Sequence, residues 1–174
     1  MSSATTPAGK PPPTTRHGAE ETLLSITIST SVEIDAPKQL GWDVLTDFSA
    51  YPEWNPYMEI EGPLRVGTKL TVHIGADRGR RRGMVFKPAV LAAIPGEELR
   101  WLGKLGFGGI VDGEHFFILD RNADGTTHLT HGERYSGALV ALAKPFLNKE
   151  RNQAGYEAFN QVLKQRVESV RDAG

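Results

Sequence analysis

The 174-residue chain contains no cysteine. That absence removes disulfides, thiolate metal sites and cysteine nucleophiles together. It also lacks an excess of either charge: 20 Lys and Arg against 21 Asp and Glu leave a formal net charge of -1. No global field therefore draws the chain to nucleic acid or to an anionic bilayer. No stretch approaches the roughly 20 apolar residues of a membrane span, and residues 1–20 hold no apolar run of the kind that forms a signal-peptide core. The expected location is the cytoplasm, without membrane insertion. There is no Gly-x-Ser-x-Gly, hence no nucleophile elbow, and no His-Glu-x-x-His to seat a metal on one helical face.

What is present suits one globular domain: 39% hydrophobic and 24% charged residues, enough for a single core at this length. Residues 1–20 are rich in Pro, Thr, Ser and Ala, with three prolines at Pro11–Pro13. Such a segment cannot bury enough surface to offset its ordering entropy and is expected to be a disordered tail. Residues 21–174 form the domain.

Strand and helix periods alternate along that domain. Ile26, Ile28, Val32 and Ile34 recur at period two, broken only by Thr30, and predict a half-buried strand over 24–34. Asp35-Ala36-Pro37 reads as a helix start with an acid and a proline in its first turn. Leu40, Val44 and Leu45 share a face of that helix, which should end near Asp47, with a short helical turn at Tyr51–Trp54. Six further strands are predicted, over 57–61, 69–76, 84–94, 99–102, 113–119 and 126–135. The run over 84–94 should bend at Pro88, because proline cannot donate to a ladder. From about Lys144 to Asp172 the spacing is helical, with a stripe through Ala154, Ala158, Phe159, Val162, Leu163, Arg166 and Val170. A long amphipathic helix must cover something large, and the sheet is the partner available. Clustered strands and segregated helices give the α+β class rather than βαβ repeats.

This order and particular residues resemble the START-like (SRPBCC) superfamily, the helix-grip fold of polyketide cyclases, lipid-transfer domains and the birch-pollen allergen. The resemblance lies in Ile34-Asp35-Ala36-Pro37, in Trp42 to Phe48, in Tyr51-Pro52-Glu53-Trp54-Asn55-Pro56, in Gly67 to Leu70, and in Asp124-Gly125-Thr126-Thr127 with Glu133. It covers about residues 24–172. It implies a curved antiparallel sheet of about seven strands wrapped around the C-terminal helix, with a cavity between them for a small hydrophobic molecule. Trp54, Phe86, Trp101, Phe117, Leu129, Tyr135, Phe159 and Leu163 are the residues expected to line it. Abundant glycine, 19 residues, suits sharply bent strands.

The chemistry-bearing candidates are His115, His131 and Glu133. A hairpin turning at Arg121–Gly125 and pairing Leu119 with Thr127 would set Phe117 opposite Leu129 and His115 opposite His131, with Glu133 diagonal to His115. All three then share a face with Phe117, Leu129 and Tyr135. Three readings stand side by side: satisfied polar residues at the pocket mouth, a patch orienting a ligand carbonyl or hydroxyl, and a metal site. In the second, a histidine beside a carboxylate serves as general acid–base for aldol cyclisation or dehydration. No short-spaced ligand motif supports the third, so no metal and no cofactor is expected. His73, His128 and His17 receive no role, and Asn55 reads as a turn residue. Gly106-Phe107-Gly108-Gly109 lacks the lysine-serine ending of a phosphate loop and reads as a lid. Arg78-Gly79-Arg80-Arg81-Arg82 puts four cations at a predicted hairpin tip, either solvated surface or a dock for an acidic partner such as an acyl carrier protein. Three functions follow: carriage of a small hydrophobic molecule, polyketide cyclase or aromatase chemistry, and a protein-interaction module.

Overall fold

The computed structural model describes residues 25–75, 83–105, 110–143 and 148–174. The N-terminal tail, Arg78–Arg82 and Gly106–Gly109, the segment read above as a lid, lie outside the described residues.

Among the described residues, eight strands form two antiparallel sheets. A five-stranded sheet has the order β1-β8-β7-β6-β5, with β1 Ser25–Ile34, β5 Ala89–Ile94, β6 Glu98–Leu105, β7 Val111–Arg121 and β8 Thr127–Ser136. A three-stranded sheet has the order β2-β3-β4, with β2 Met58–Glu61, β3 Thr71–Ile74 and β4 Met84–Phe86. The run over 84–94 is two strands because Lys87-Pro88 interrupts it, and a register shift between Val90 and Ala92 bends β5 further. The proline still serves the sheet through its carbonyl, which accepts from Leu70 N at 2.9 Å, while Val90 N donates to Thr68 O at 2.9 Å. These bonds and a bridge between Lys69 and Ala89 tie the two sheets together.

Among the described residues there are four α-helices, α1 Lys38–Thr46, α2 Tyr51–Trp54, α3 Val140–Ala143 and α4 Lys149–Ala173, and a single 3-10 turn at Phe48–Ala50. α1 starts later than the Asp35-Ala36-Pro37 signal predicts. Pro37 is its N-cap, and Asp35 lies outside the helix, where it pairs with Arg171 and donates its backbone N–H to Glu168. α4 also starts later, at Lys149, because Asn148 caps it by accepting from Arg151 N at 2.9 Å. With 25 residues, α4 is about 37 Å long and packs along β1 and β8 and against α1 and α2. Its buried stripe is Phe159, Asn160, Leu163 and Val167, and Ala154, expected on the stripe, is exposed. No helix among the described residues is long and apolar enough to cross a membrane.

The core between sheet and helices contains Leu45, Tyr51, Leu70, Leu99, Phe117, Leu129, Leu163 and Val167. Burying the Tyr51 ring raises the pKa of its phenol, which is satisfied by donating to Leu45 O at 2.6 Å. At Gly132 the backbone of β1 comes so close that a Cβ would stand 2.4 Å from Ile28 O. Only glycine permits that approach.

Candidate functional site

The β7–β8 register differs from the predicted one by two residues. A tight turn, with Asn122 N donating to Thr126 O and Gly125 at φ +91°, lets β7 run on to Arg121, which pairs with Thr127. Phe117 therefore faces His131, His115 faces Glu133 and Leu119 faces Leu129. Because the slip is even, every side chain keeps its predicted face.

Two transverse rows cross the inner face of the sheet. One reads Trp101, His115, Glu133, Ile28 from β6 to β1, and the next reads Leu99, Phe117, His131, Thr30. The row beside Glu133 carries Gly103 and Gly113 next to Tyr135. Gly113 matters sterically, since a Cβ there would stand 2.2 Å from Glu133 Oε1. The glycine leaves the space the carboxylate fills.

A single polar chain runs through these rows and onto α4. Asn160 donates Nδ2–H to Thr30 Oγ1 at 2.9 Å and presents Oδ1 to His131 Nδ1 at 2.8 Å. His131 Nε2 lies 2.9 Å from His115 Nε2. His115 Nδ1 then stands 3.8 Å from Glu133 Oε2, which also accepts from Tyr135 Oη at 2.9 Å and Tyr156 Oη at 3.0 Å. Asn152 Nδ2 reaches Tyr135 Oη at 3.4 Å.

The hydrogen positions follow from the partners. Asn160 Oδ1 accepts, so His131 carries its proton on Nδ1 and offers a bare Nε2. His115 must then donate from Nε2. Its Nδ1, 3.8 Å from the carboxylate, is then the bare nitrogen of the ring. His131 is 1% exposed, and burial, reinforced by the adjacent His115, holds its pKa well below the usual histidine value. Burial raises the Glu133 carboxyl, but His115 and the two tyrosine hydroxyls outweigh it, and the net pKa lies below the usual carboxylate value. Burial first, then the Glu133 charge, pushes the phenols of Tyr135 and Tyr156 upward, so both remain donors.

Aromatic rings enclose the dyad. Trp101 stacks on His115 with centroids 4.8 Å apart and planes at 4°, and Phe117 stacks on His131 at 4.2 Å and 22°. Phe159 meets His131 at 5.1 Å and Tyr156 meets it at 4.7 Å. The enclosure is uneven. Asn160 and His131 are sealed, whereas the Glu133 side chain keeps 23% of its exposure. The chain is thus closed at Asn160 and His131 and partly open at Glu133 and the tyrosines.

Of the residues singled out from sequence, His115, His131, Glu133, Tyr135, Trp101, Phe117 and Phe159 come together here. Leu129 and Leu163 are fully buried in the adjoining core. Trp54 joins through Phe159, at 6.0 Å. Phe86 belongs to the three-stranded sheet, opposite Val72, and adjoins the site only through the shared core. Asn55 is a turn residue, its Oδ1 accepting from Tyr57 N and Met58 N. His73 is half-buried on β3, and His128 pairs with Glu33 on the other face of β8. Sequence reasoning missed Thr30, Asn152, Tyr156 and Asn160. Among the described residues no set of three or more His, Cys, Asp or Glu side chains converges as metal ligands. The two imidazoles turn their Nε2 atoms toward each other.

Comparison with known proteins adds family and fold. The family model described as polyketide cyclase / dehydrase and lipid transport matches residues 25–168. No curated protein sequence is significantly similar. Among solved structures, protein MLL2253 from Mesorhizobium loti superposes with a TM-score of 0.61 at 22% identity, over 83% of this chain and 98% of that one. The di-domain ARO/CYC StfQ of the steffimycin biosynthetic pathway gives a TM-score of 0.63 at 11% identity, over 89% of this chain and 54% of StfQ. Truncated norcoclaurine synthase from Thalictrum flavum gives 0.58 at 15%, over 83% and 94% of the two chains. At these identities the likeness is one of fold.

Proposed function

The chain belongs to the polyketide cyclase / dehydrase and lipid transport family, and on that premise we propose that it binds a small, largely apolar molecule between the inner face of the five-stranded sheet and α4. One observation carries this reading. Polar groups from Thr30 to Tyr135 line up among Trp101, Phe117 and Phe159: hydrogen bonds run from Thr30 through Asn160 and His131 to His115, Glu133 follows at 3.8 Å with the tyrosine hydroxyls bonded to it, and the line is buried at Asn160 and His131 and partly open at Glu133. A purely structural core gains little from so long a buried polar chain, which must be satisfied at every link. A binding site gains a polar terminus against which an oxygen of the guest is oriented.

Two measurements test it. Native mass spectrometry of the purified protein should reveal a bound organic adduct. Titration with the apolar fluorophore N-phenylnaphthylamine should saturate at one equivalent, and Leu163→Trp, which adds bulk on the inner face of α4, should abolish saturation. Absence of both adduct and saturable binding in the unmutated protein would overturn the proposal.

A second reading is favoured by the proton arrangement. With Nε2–H donated to His131, His115 Nδ1 is a base held beside a carboxylate that stabilises the imidazolium it would become. That suits removal of a proton from a carbon between two carbonyls of a poly-β-keto chain. The resulting enolate attacks a second carbonyl, and the imidazolium returns the proton to the new alkoxide or to departing hydroxide. His115→Ala should stop turnover, whereas Glu133→Gln should lower it; retained cyclisation in His115→Ala would dismiss this base. An acyl carrier protein that presents such a chain would meet the arginines of residues 78–82. Replacing Arg80, Arg81 and Arg82 by serine should weaken that contact and flatten its salt dependence.

A further inference from the structure

Every donor of the site's polar chain has a partner, but two donors close to it do not. Trp54 Nε1 and Asn55 Nδ2 are buried and without a hydrogen-bond partner. Asn55 is only 3% exposed, and its orientation is fixed: Oδ1 accepts from Tyr57 N at 2.9 Å and Met58 N at 3.2 Å, so the amide nitrogen is the group left over. Native proteins rarely leave buried N–H groups unpaired, and those that remain are normally met by ordered water or a ligand. Both donors are neutral and neither can accept. They suit an acceptor oxygen and nothing cationic.

Their location gives the acceptor a context. The two residues are neighbours at the end of α2, and the Trp54 ring lies edge-on against Phe159, which on its other flank meets His131. One phenylalanine ring thus separates the turn holding the orphan donors from the histidine dyad. We propose that the Trp54–Asn55 turn is an acceptor-binding subsite that takes a carbonyl oxygen of the guest, while the His131–His115–Glu133 chain meets a second polar group. The guest is then an apolar molecule with oxygens at two places on either side of Phe159. This inference deepens the binding reading above and rests on it.

The test uses two probes of nearly equal size, acetylnaphthalene, which has a carbonyl, and ethylnaphthalene, which does not. Isothermal titration calorimetry on the full chain should show the ketone binding roughly tenfold tighter, the worth of about one hydrogen bond. Asn55→Asp keeps the turn acceptor and deletes the donor, and Trp54→Phe keeps a ring and deletes the N–H. Each should reduce the ketone preference while ethylnaphthalene binding changes less than about twofold, as expected when only a hydrogen bond is lost. On the unmutated protein, the Trp54 indole and Asn55 amide proton resonances should move downfield with the ketone and not with the hydrocarbon, a readout independent of any variant's folding. Equal affinity for both probes, or a ketone preference with unmoved resonances, overturns the subsite while leaving the cavity intact. Failure of N-phenylnaphthylamine and of both probes to bind overturns the cavity, and the subsite with it.

Discussion

The buried His131 makes a quantitative demand on acid stability. Burial, with His115 alongside, keeps its imidazole neutral well below the ordinary histidine value of about 6.5. In the unfolded chain the same ring takes up a proton as pH falls through about 6.5. The folded state therefore binds fewer protons, so stability falls with falling pH and is fully present only above that value. Between pH 8 and pH 5.5 this one residue should cost about 1.4 kcal/mol, one decade of proton binding. For a chain of this length that is a melting temperature lower by about 3–6 °C. Urea unfolding of the native sequence and of His131→Gln, each at both pH values, isolates the effect, because all other titrating groups are common to the two. The native protein should lose about 1.4 kcal/mol more than the variant over the interval. Equal losses would mean that His131 accepts a proton in the folded state, and the hydrogen assignment along Asn160, His131 and His115 would fall with it.

Other consequences are simpler. Glu133, with its pKa held below 4.5, contributes stability that is present above that value and lost as pH falls through its folded-state pKa. Glu133→Gln should therefore flatten the acid limb of a thermal-melting profile below about pH 4.5, and an unchanged limb would show that the carboxylate is not held by its partners. Gly132→Ala puts a Cβ 2.4 Å from Ile28 O and 2.7 Å from Ser29 Cβ. It should lower stability by about 2–3 kcal/mol in urea titration, and a shift under about 0.5 kcal/mol, the size of a neutral surface change, would show that β1 and β8 part easily there.

Much of this arrangement was legible in the sequence because period-two patterning fixes which face a side chain takes. His115, Phe117, His131 and Glu133 all fall where parity puts them. Partners across strands were less legible, because they depend on how tightly the chain turns. The turn at Asn122–Thr126 is tighter than a pairing of Leu119 with Thr127 requires, and so Glu133 rather than His131 lies opposite His115. Asn160 illustrates a different limit. Helical spacing puts it on the stripe between Tyr156 and Leu163, yet one sequence does not say which strand residue it will meet. Thr30, the lone break in the β1 alternation, was the available signal: it receives the Asn160 side chain. The fold family was readable from the Trp42–Pro56 block, whereas nothing in the patterning announced two unpaired donors at Trp54 and Asn55.

Among the described residues β1 has one ladder, with β8, and its partners lie about a hundred positions further along the chain. During synthesis the first strand must therefore wait, with Ile28 and Ile34 uncovered, until nearly the whole sheet has left the ribosome. Pairings this distant form slowly, and an unpaired apolar strand is an invitation to self-association while it lasts. Yield in a heterologous host should depend on translation speed and on holdase chaperones more than the stability of the finished molecule would suggest.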